Sequence, residues 1–364
     1  MGGDLHRVRA QPHAVTRFVA LDRGHADGLP SGAAGQADTP LVTIEDIRAA
    51  ADRLRGIVLR TPLVMFDAGP PPIVLKAESL QSIGAFKIRG AYNAIAQLST
   101  AERARGVVTH SSGNHAQGVA RAARLLGIRA TVVMPEDAPE IKRARVEADG
   151  ALIVTVAVES GAREEMARRL VDQEGLVLIP PYDDDRVIAG QGTCGLEIAE
   201  DVPDLALVLV PIGGGGLASG VAAAIKALRP DVRVIGVEPE LAADAAESLE
   251  LGHIVRWDGA TTARTIADGT RTQAIGARPF AHLSRLLDGV VTVSEAEIAQ
   301  AVRFGAERSR LVVEPSGALT IAAAAFHAHE LGLESLTGTV VAVVSGGNVD
   351  PARYRSLLAA PASD

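Results

Sequence analysis

One cysteine, Cys194, stands among 364 residues. A lone thiol excludes an internal disulfide and a cysteine-rich metal centre. It points to a reducing compartment, so the cytoplasm is the expected location. Cys194 itself is expected to be a small buried hydrophobe. Long apolar runs are missing too, since none reaches the roughly 18 residues needed to cross a bilayer. The brief "FVAL" falls short of the apolar stretch of about 7–15 residues that a secretory leader needs. Positive charge is scarce, with 36 Lys+Arg against 44 Asp+Glu and a net charge of -8. Dispersed basic residues in such a chain argue against a nucleic-acid surface. Neither a membrane nor a nucleic acid is an expected partner.

What is present suits a globular fold. Hydrophobic residues make up 47 %, and the length allows two domains. Residues 1–40 stand apart. Their "DRGHADGLPSGAAGQADTP" has neither helical nor strand period, which predicts a disordered N-terminal extension. The ordered fold is expected to start near Thr43, which is placed to cap the helix of "TIEDIRAAADRL".

From residue 73 onward, short β-branched runs alternate with amphipathic stretches. Strands are predicted at 73–75, 107–110, 130–134, 152–156, 176–179, 205–211, 232–237 and 339–344. Between them, "IRGAYNAIAQL" repeats Ile88, Ala91, Ile95 and Leu98 at helical spacing. The stretch after Asn114 does the same with Val119, Ala122, Ala123 and Leu126. Continuous apolar strands separated by helices predict an α/β fold with open parallel sheets. Residues 106–183 carry four strands and three helices, enough for a small α/β domain inserted into a larger one made of 41–105 and 184–364. Open parallel sheets bind ligands beyond the C-terminal ends of their strands, so chemistry is expected in the loops just after strands.

Three such loops stand out. "VVTHSSGNHAQG" leaves a strand and opens a helix, offering unpaired amides and the hydroxyls of Ser111 and Ser112. It predicts a site for a carboxylate or another anion, because a plain helix cap hardly needs five polar side chains. "LVLVPIGGGGLASG" sets Gly213, Gly214, Gly215 and Gly216 between a strand and a helix. Such a run costs backbone entropy but lets amides close on a phosphate, with the helix dipole assisting. No Gly-Lys-Ser/Thr follows, so it is not a P-loop, and it fits the dinucleotide fingerprint poorly. "VVAVVSGGNVD" ends an apolar strand with Ser345, Gly346, Gly347 and Asn348. Alone it also makes an ordinary turn.

Lys87 completes the set. It sits between Phe86 and Ile88, just past the Gly84-Ala85 turn, where a solvated lysine would have polar neighbours. Desolvation would lower its pKa from about 10.4 and free the amine as a Schiff-base nucleophile. A phosphate cradle, such a lysine and a partner for a ring nitrogen are what pyridoxal phosphate uses. A lysine snorkelling from a helix start would leave the loops unexplained.

In order along the chain, "SIGAFKIRGAYNAI", "SSGNHAQGVA", "PIGGGGLASG", "VEPELAAD", "TIADGT" and "SGGNVD" resemble the serine/threonine dehydratases and serine racemases. These are fold-type II pyridoxal-phosphate enzymes, and the resemblance covers roughly residues 43–355. It implies two α/β domains, like those of the tryptophan synthase β subunit, with the cofactor in the cleft between them. It implies that Lys87 carries the cofactor as a Schiff base, that Phe86 flanks its ring and that Asn114 bonds the ring hydroxyl. Gly213, Gly214, Gly215 and Gly216 would hold the phosphate, and Ser345 would face the pyridine nitrogen. Ser111, Asn114 and His115 would hold the substrate carboxylate, with Ser112 across the cofactor plane from Lys87. Arg163, in "SGAREEMARR", matches an arginine that closes over that carboxylate in serine racemases, although an exposed helix face is the ordinary place for arginine.

"VEPELAAD" resembles a divalent-cation site in which Glu238, Asp244 and the carbonyl of Ala242 offer hard oxygen ligands for magnesium or calcium. A solvated acidic loop is the plain alternative. Relatives are commonly dimers, so the resemblance implies a homodimer. The chain ends soon after "SGGNVD", so no isoleucine-sensitive regulatory domain is expected.

The expected activity is β-elimination on a β-hydroxy amino acid. L-threonine or L-serine would give 2-oxobutanoate or pyruvate plus ammonia, with Lys87 taking the α-proton. A neutral hydroxyl at 345 cannot hold a positive charge on the pyridine nitrogen, which weakens the electron sink and favours prompt elimination over transamination. Ser112 offers a competing fate, return of the proton from the opposite face, so racemisation uses the same residues. Serine racemase and 3-hydroxyaspartate ammonia-lyase are therefore alternatives. A non-catalytic nucleotide-binding module is the alternative from a different class. Glu314, in "VEPSGA", stays unassigned.

Overall fold

Residues 18–21, 39–69, 71–111, 113–159 and 161–359 are described in the computed structural model. Their strands, in chain order, are β1 Phe18–Ala20, β2 Leu63–Phe66, β3 Ile73–Ala77, β4 Val107–His110, β5 Ala130–Pro135, β6 Leu152–Val156, β7 Val177–Leu178, β8 Leu205–Pro211, β9 Arg233–Pro239, β10 Gly289–Val293 and β11 Thr339–Val344. They form a seven-stranded sheet, β1-β10-β9-β8-β11-β3-β2, and a four-stranded one, β6-β5-β4-β7. β1 and β2 run antiparallel to their neighbours at the edges of the large sheet, and the other pairings are parallel. The α/β class expected from the sequence is therefore observed.

The helices are α1 Ile44–Leu54, α2 Lys87–Ala96, α3 Thr100–Arg105, α4 Asn114–Leu126, α5 Glu140–Ala148, α6 Ala162–Glu174, α7 Asp185–Asp201, α8 Gly216–Leu228, α9 Asp244–Leu251, α10 Gly259–Thr262, α11 Ala277–Leu286, α12 Glu295–Ser309, α13 Pro315–Phe326 and α14 Pro351–Ala359. Thr43 caps α1 as expected. Its hydroxyl accepts from Asp46 N at 3.2 Å, and the Asp46 carboxylate accepts from Thr43 N at 2.9 Å, satisfying two amides that a helix start leaves open.

Strand pleating assigns each face its core. Leu207 and Leu209 of β8 pack with Ile298, Val302, Leu319 and Ile321 of α12 and α13. Val208 and Val210 pack with Val221, Ile225, Phe280 and Leu283 of α8 and α11. Cys194 is fully buried, as a small hydrophobe would be. In the small sheet, Val132 of β5 faces the α4 side and Val133 the α6 side.

Two expectations need correction. Part of the first 40 residues belongs to the fold, because Val19 pairs with Val290 and Leu21 N donates to Asp288 O at 3.1 Å. A strand of three residues is too short to carry a period. The rest of the predicted extension, at 1–17 and 22–38, lies outside the described residues. Meanwhile α2, expected with the larger unit, closes the core of the small sheet, where Ile88, Ala91 and Ile95 meet Val119, Ala122 and Val132. Side chains close a core in space, whatever their order along the chain.

Candidate active site

Loops from the C-terminal ends of β4, β7, β8 and β11 supply the site. The turn before α2 is stitched to the end of β11, since Phe86 N donates to Ser345 O at 3.1 Å and Ala85 bridges Gly346. Gly84 takes φ +72° with the Asn348 side chain against its Cα, leaving no room for a Cβ. Held this way, Lys87 opens α2 and its Nζ donates to Pro181 O at 2.7 Å. The amine also lies 5.1 Å from the centre of the Phe86 ring. Lys87 keeps some exposed surface, yet the protein packed around the amine pushes its pKa down to about 8.

Pro181 leads directly to the tetraglycine. Its neighbour Tyr182 lays its ring on Gly214, where any Cβ would overlap the ring. Gly215 takes φ +92° and starts α8 with no side-chain cap. The first amides of that helix are therefore open to an anion. Burial first, then the Asp244 carboxylate, pushes the Tyr182 phenol up to about 12, so it stays protonated at neutral pH.

The serine loop joins β4 to α4, and α4 also starts without a side-chain cap. Ser111 Oγ accepts from Gly113 N at 3.3 Å. Ser112 lies outside the described residues. His115 turns its side chain to Ile179. Its imidazole is buried and its Nε2 lies 3.0 Å from Ile179 O, a contact that requires Nε2 to carry the hydrogen. Burial and the Lys87 charge lower its pKa to about 3, so the ring is neutral. Nδ1 is then an acceptor, without a partner among the described residues. It cannot donate to a carboxylate, and only the backbone N–H of His115 remains suited to that task.

Asn114 is held by Glu314, which the sequence leaves without a role, and by Asn348 of the loop after β11. Its Nδ2 donates to Glu314 Oε1 at 2.6 Å, and its Oδ1 accepts from Asn348 Nδ2 at 2.8 Å. Glu314 Oε2 accepts from Asn348 N at 3.1 Å. Burial, reinforced by Asp268, raises the Glu314 carboxyl to about 7. Ser345 is buried and donates to Ser316 O at 3.3 Å.

Arg163 opens α6 beside Glu164, whose carboxylate lies 3.4 Å from His110 Nδ1. That contact to His110 holds Glu164 down at about 2 and draws the start of α6 to the residue before Ser111.

Glu238, at the end of β9, accepts from the amides of Ala245 and Ala246 at 3.2 and 2.7 Å. It shares the interior with Asp244, and Asp244 Oδ2 has no partner among the described residues. Burial raises both carboxyls, Asp244 to about 8, and the Asp244 charge pushes Glu238 up further. Two enclosed carboxylates with an open oxygen suit a hard cation. No group of three or more His, Cys, Asp or Glu gathers among the described residues. The Ala242 carbonyl or water would have to complete the shell.

A family profile described as "Pyridoxal-phosphate dependent enzyme" matches residues 54–346. L-threo-3-hydroxyaspartate ammonia-lyase of Saccharomyces cerevisiae is 43% identical, over 87% of this chain and 96% of its own. L-threonine ammonia-lyase of Thermotoga maritima is 44% identical, over 85% of this chain and 76% of its own. The crystal structure of serine racemase from Dictyostelium discoideum matches with a TM-score of 0.79 at 37% identity, over 85% of this chain and 99% of that one. The chain belongs to the pyridoxal-phosphate dependent enzyme family. Within that family it is an enzyme of the ammonia-lyase and racemase group with the fold-type II architecture. Membership sets aside the non-catalytic nucleotide-binding module.

The residues present fit the cofactor. A depressed lysine amine rests on Pro181 O, and the next residue covers a glycine run that no Cβ could enter at Gly214. Tyr182, Pro181, Glu314 and Asn348 complete the surroundings. Tyr182 and Pro181 carried a faint signal in "IPPYDDD", a loop that follows a strand. Among the described residues, no helix is long and apolar enough to cross a membrane.

Proposed function

We propose that the protein is a pyridoxal-phosphate-dependent ammonia-lyase that converts L-threonine and L-serine to 2-oxobutanoate and pyruvate with release of ammonia. The observation that carries this reading is the Lys87 amine on Pro181 O, one residue from the tyrosine that covers the tetraglycine. When bound, the cofactor supplies an electron sink for charge at the substrate α-carbon. Lys87 holds the cofactor and then takes the α-proton at Nζ, a role suited to an amine near 8. The open amides at the start of α4, with Ser111, bind the carboxylate. Asn114, aimed by Glu314 and Asn348, orients the ring hydroxyl. Gly213 to Gly216 hold the phosphate, Tyr182 shields it from water, and Ser345 presents a neutral hydroxyl to the ring nitrogen. Arg163 would close over the carboxylate from the start of α6, and Ser112 would act on the opposite face. The Glu238–Asp244 pair would seat Mg2+ or Ca2+.

A second reading has support from relatives of nearly equal identity. They include the hydroxyaspartate ammonia-lyase at 43% and a serine racemase of Schizosaccharomyces pombe at 41%. Borohydride reduction and peptide mapping, followed by chiral and 2-oxo-acid analysis with L-serine, L-threonine and L-threo-3-hydroxyaspartate, separates these outcomes. A label at Lys87 with pyruvate and 2-oxobutanoate as main products supports the proposal. A label elsewhere, or D-serine as the main product, would overturn it.

A further inference from the structure

Arg89 is fully buried on α2, two residues past the lysine. The start of α2 has no side-chain cap, because Phe86 makes no such bond. The Phe86 N–Ser345 O bond holds the chain entering the helix, and the orientation of its first turn falls to side chains. The Arg89 fork reaches both ways from it. Nε and Nη2 donate to the two Glu78 oxygens at 2.8 Å each, in the 3-10 turn after β3. Nη1 and Nη2 donate to the two Glu197 oxygens on α7 at 2.7 and 2.9 Å. Thr193 Oγ1 and Leu59 O take the remaining bonds at 3.0 and 3.3 Å. Lys76 of β3 closes the cluster, donating to Glu197 at 2.6 Å and to Thr61 O at 2.8 Å.

Two cations face two carboxylates, so the cluster is neutral. Accordingly, the depression of the Lys87 pKa comes from burial alone. Buried ion clusters are often no more stabilising than apolar packing of the same volume. What a planar fork adds is direction, since it pairs with carboxylates in one orientation.

We propose that Arg89 is a positioning residue for Lys87. Its fork sets the rotation and depth of the first turn of α2 against Glu78 and Glu197, and so aims the lysine amine at Pro181 O. The inference rests on the reading of Lys87 as the cofactor lysine, and its test separates the two.

Cofactor-free wild type, Arg89→Lys, Thr193→Val and Val302→Ala are compared by two readouts. One is the pH midpoint of Lys87 labelling by an amine reagent, followed by mass spectrometry without cofactor. The other is the dissociation constant for pyridoxal phosphate. Arg89→Lys keeps the charge but loses the fork. It should raise the labelling midpoint and weaken the cofactor at least tenfold. Thr193→Val, which removes one bond from the fork, should move both in the same direction by less. Val302→Ala, in the core of the large sheet and outside the cluster, should lower the melting temperature while leaving both readouts in place.

Wild-type values for Arg89→Lys alongside a lower melting temperature would make the arginine purely structural and overturn the proposal. So would equal effects from Arg89→Lys and Val302→Ala. If Arg89→Lys does not fold, unchanged readouts in Thr193→Val overturn it instead. Failure of wild type to bind the cofactor at Lys87 would refute the functional reading, while the labelling midpoints would still judge the positioning.

Discussion

Gly90 of α2 and Gly190 of α7 meet backbone to backbone. A Cβ on Gly190 would lie 2.6 Å from the Gly90 Cα and 2.6 Å from Arg89 O. At this point the helix that carries Lys87 rests on α7 backbone to backbone, with the Gln191 side chain accepting from Gly90 N beside it. Gly190→Ala must push the helices apart, at a cost of about 1–3 kcal/mol from overpacking. The melting temperature and kcat should fall together in that variant. Wild-type values for both would show that the contact has slack.

Burial of Lys87 acts on stability as well as on chemistry. Its folded pKa, about 8, lies below the roughly 10.4 of an unfolded chain. The associated stability is full above the unfolded value and is lost as pH falls through about 8. Lys87→Met should therefore raise the melting temperature of the cofactor-free protein at pH 7 while abolishing turnover. The rate at which wild type captures added pyridoxal phosphate should climb with a midpoint near pH 8. A midpoint near that of free lysine would contradict the enclosed amine.

Glu314 places stability and activity in opposition. Its carboxyl is raised to about 7, so its stabilising contribution is full below the usual carboxylate range and declines as pH rises through about 7. Only the ionised form accepts from both Asn114 and Asn348. Activity should therefore fall on the acid side of about pH 7, and Glu314→Gln should flatten that limb. Glu314→Ala would leave the Asn114 amide unpaired, a loss of about 1–3 kcal/mol and roughly ten- to hundredfold in kcat/KM. An unaltered pH profile in Glu314→Gln would remove the carboxylate from the site.

The Glu238–Asp244 pair gives a cation test. Magnesium or calcium at about 100 times its dissociation constant should stabilise the chelator-treated protein by about 2.7 kcal/mol. Asp244→Asn should abolish that gain, as read by thermal melts. The same melting temperature with and without cation would count against a cation at the pair.

Local sequence determined much of this protein. The apolar strand runs, the Thr43 cap, the uncapped glycine and serine loops and the odd placement of Lys87 all follow from neighbours within a few residues. Strand period and helix-end chemistry are short-range effects, and a single chain displays them. β10 carries the same signal in "GVVTV", whereas β1 at three residues has too little pattern to read.

Tertiary structure decided the rest. Lys87 and Pro181 are 94 positions apart in sequence, and Asn114 and Glu314 are 200 apart, so no local pattern could pair them. The neutral tautomer of His115 depends on where Ile179 O falls. The membership of α2 in the small core depends on which side chains close over it. Burial, which sets the charge of Lys87, His115 and Glu314, belongs to the packed assembly, because desolvation is a sum over everything that surrounds a group.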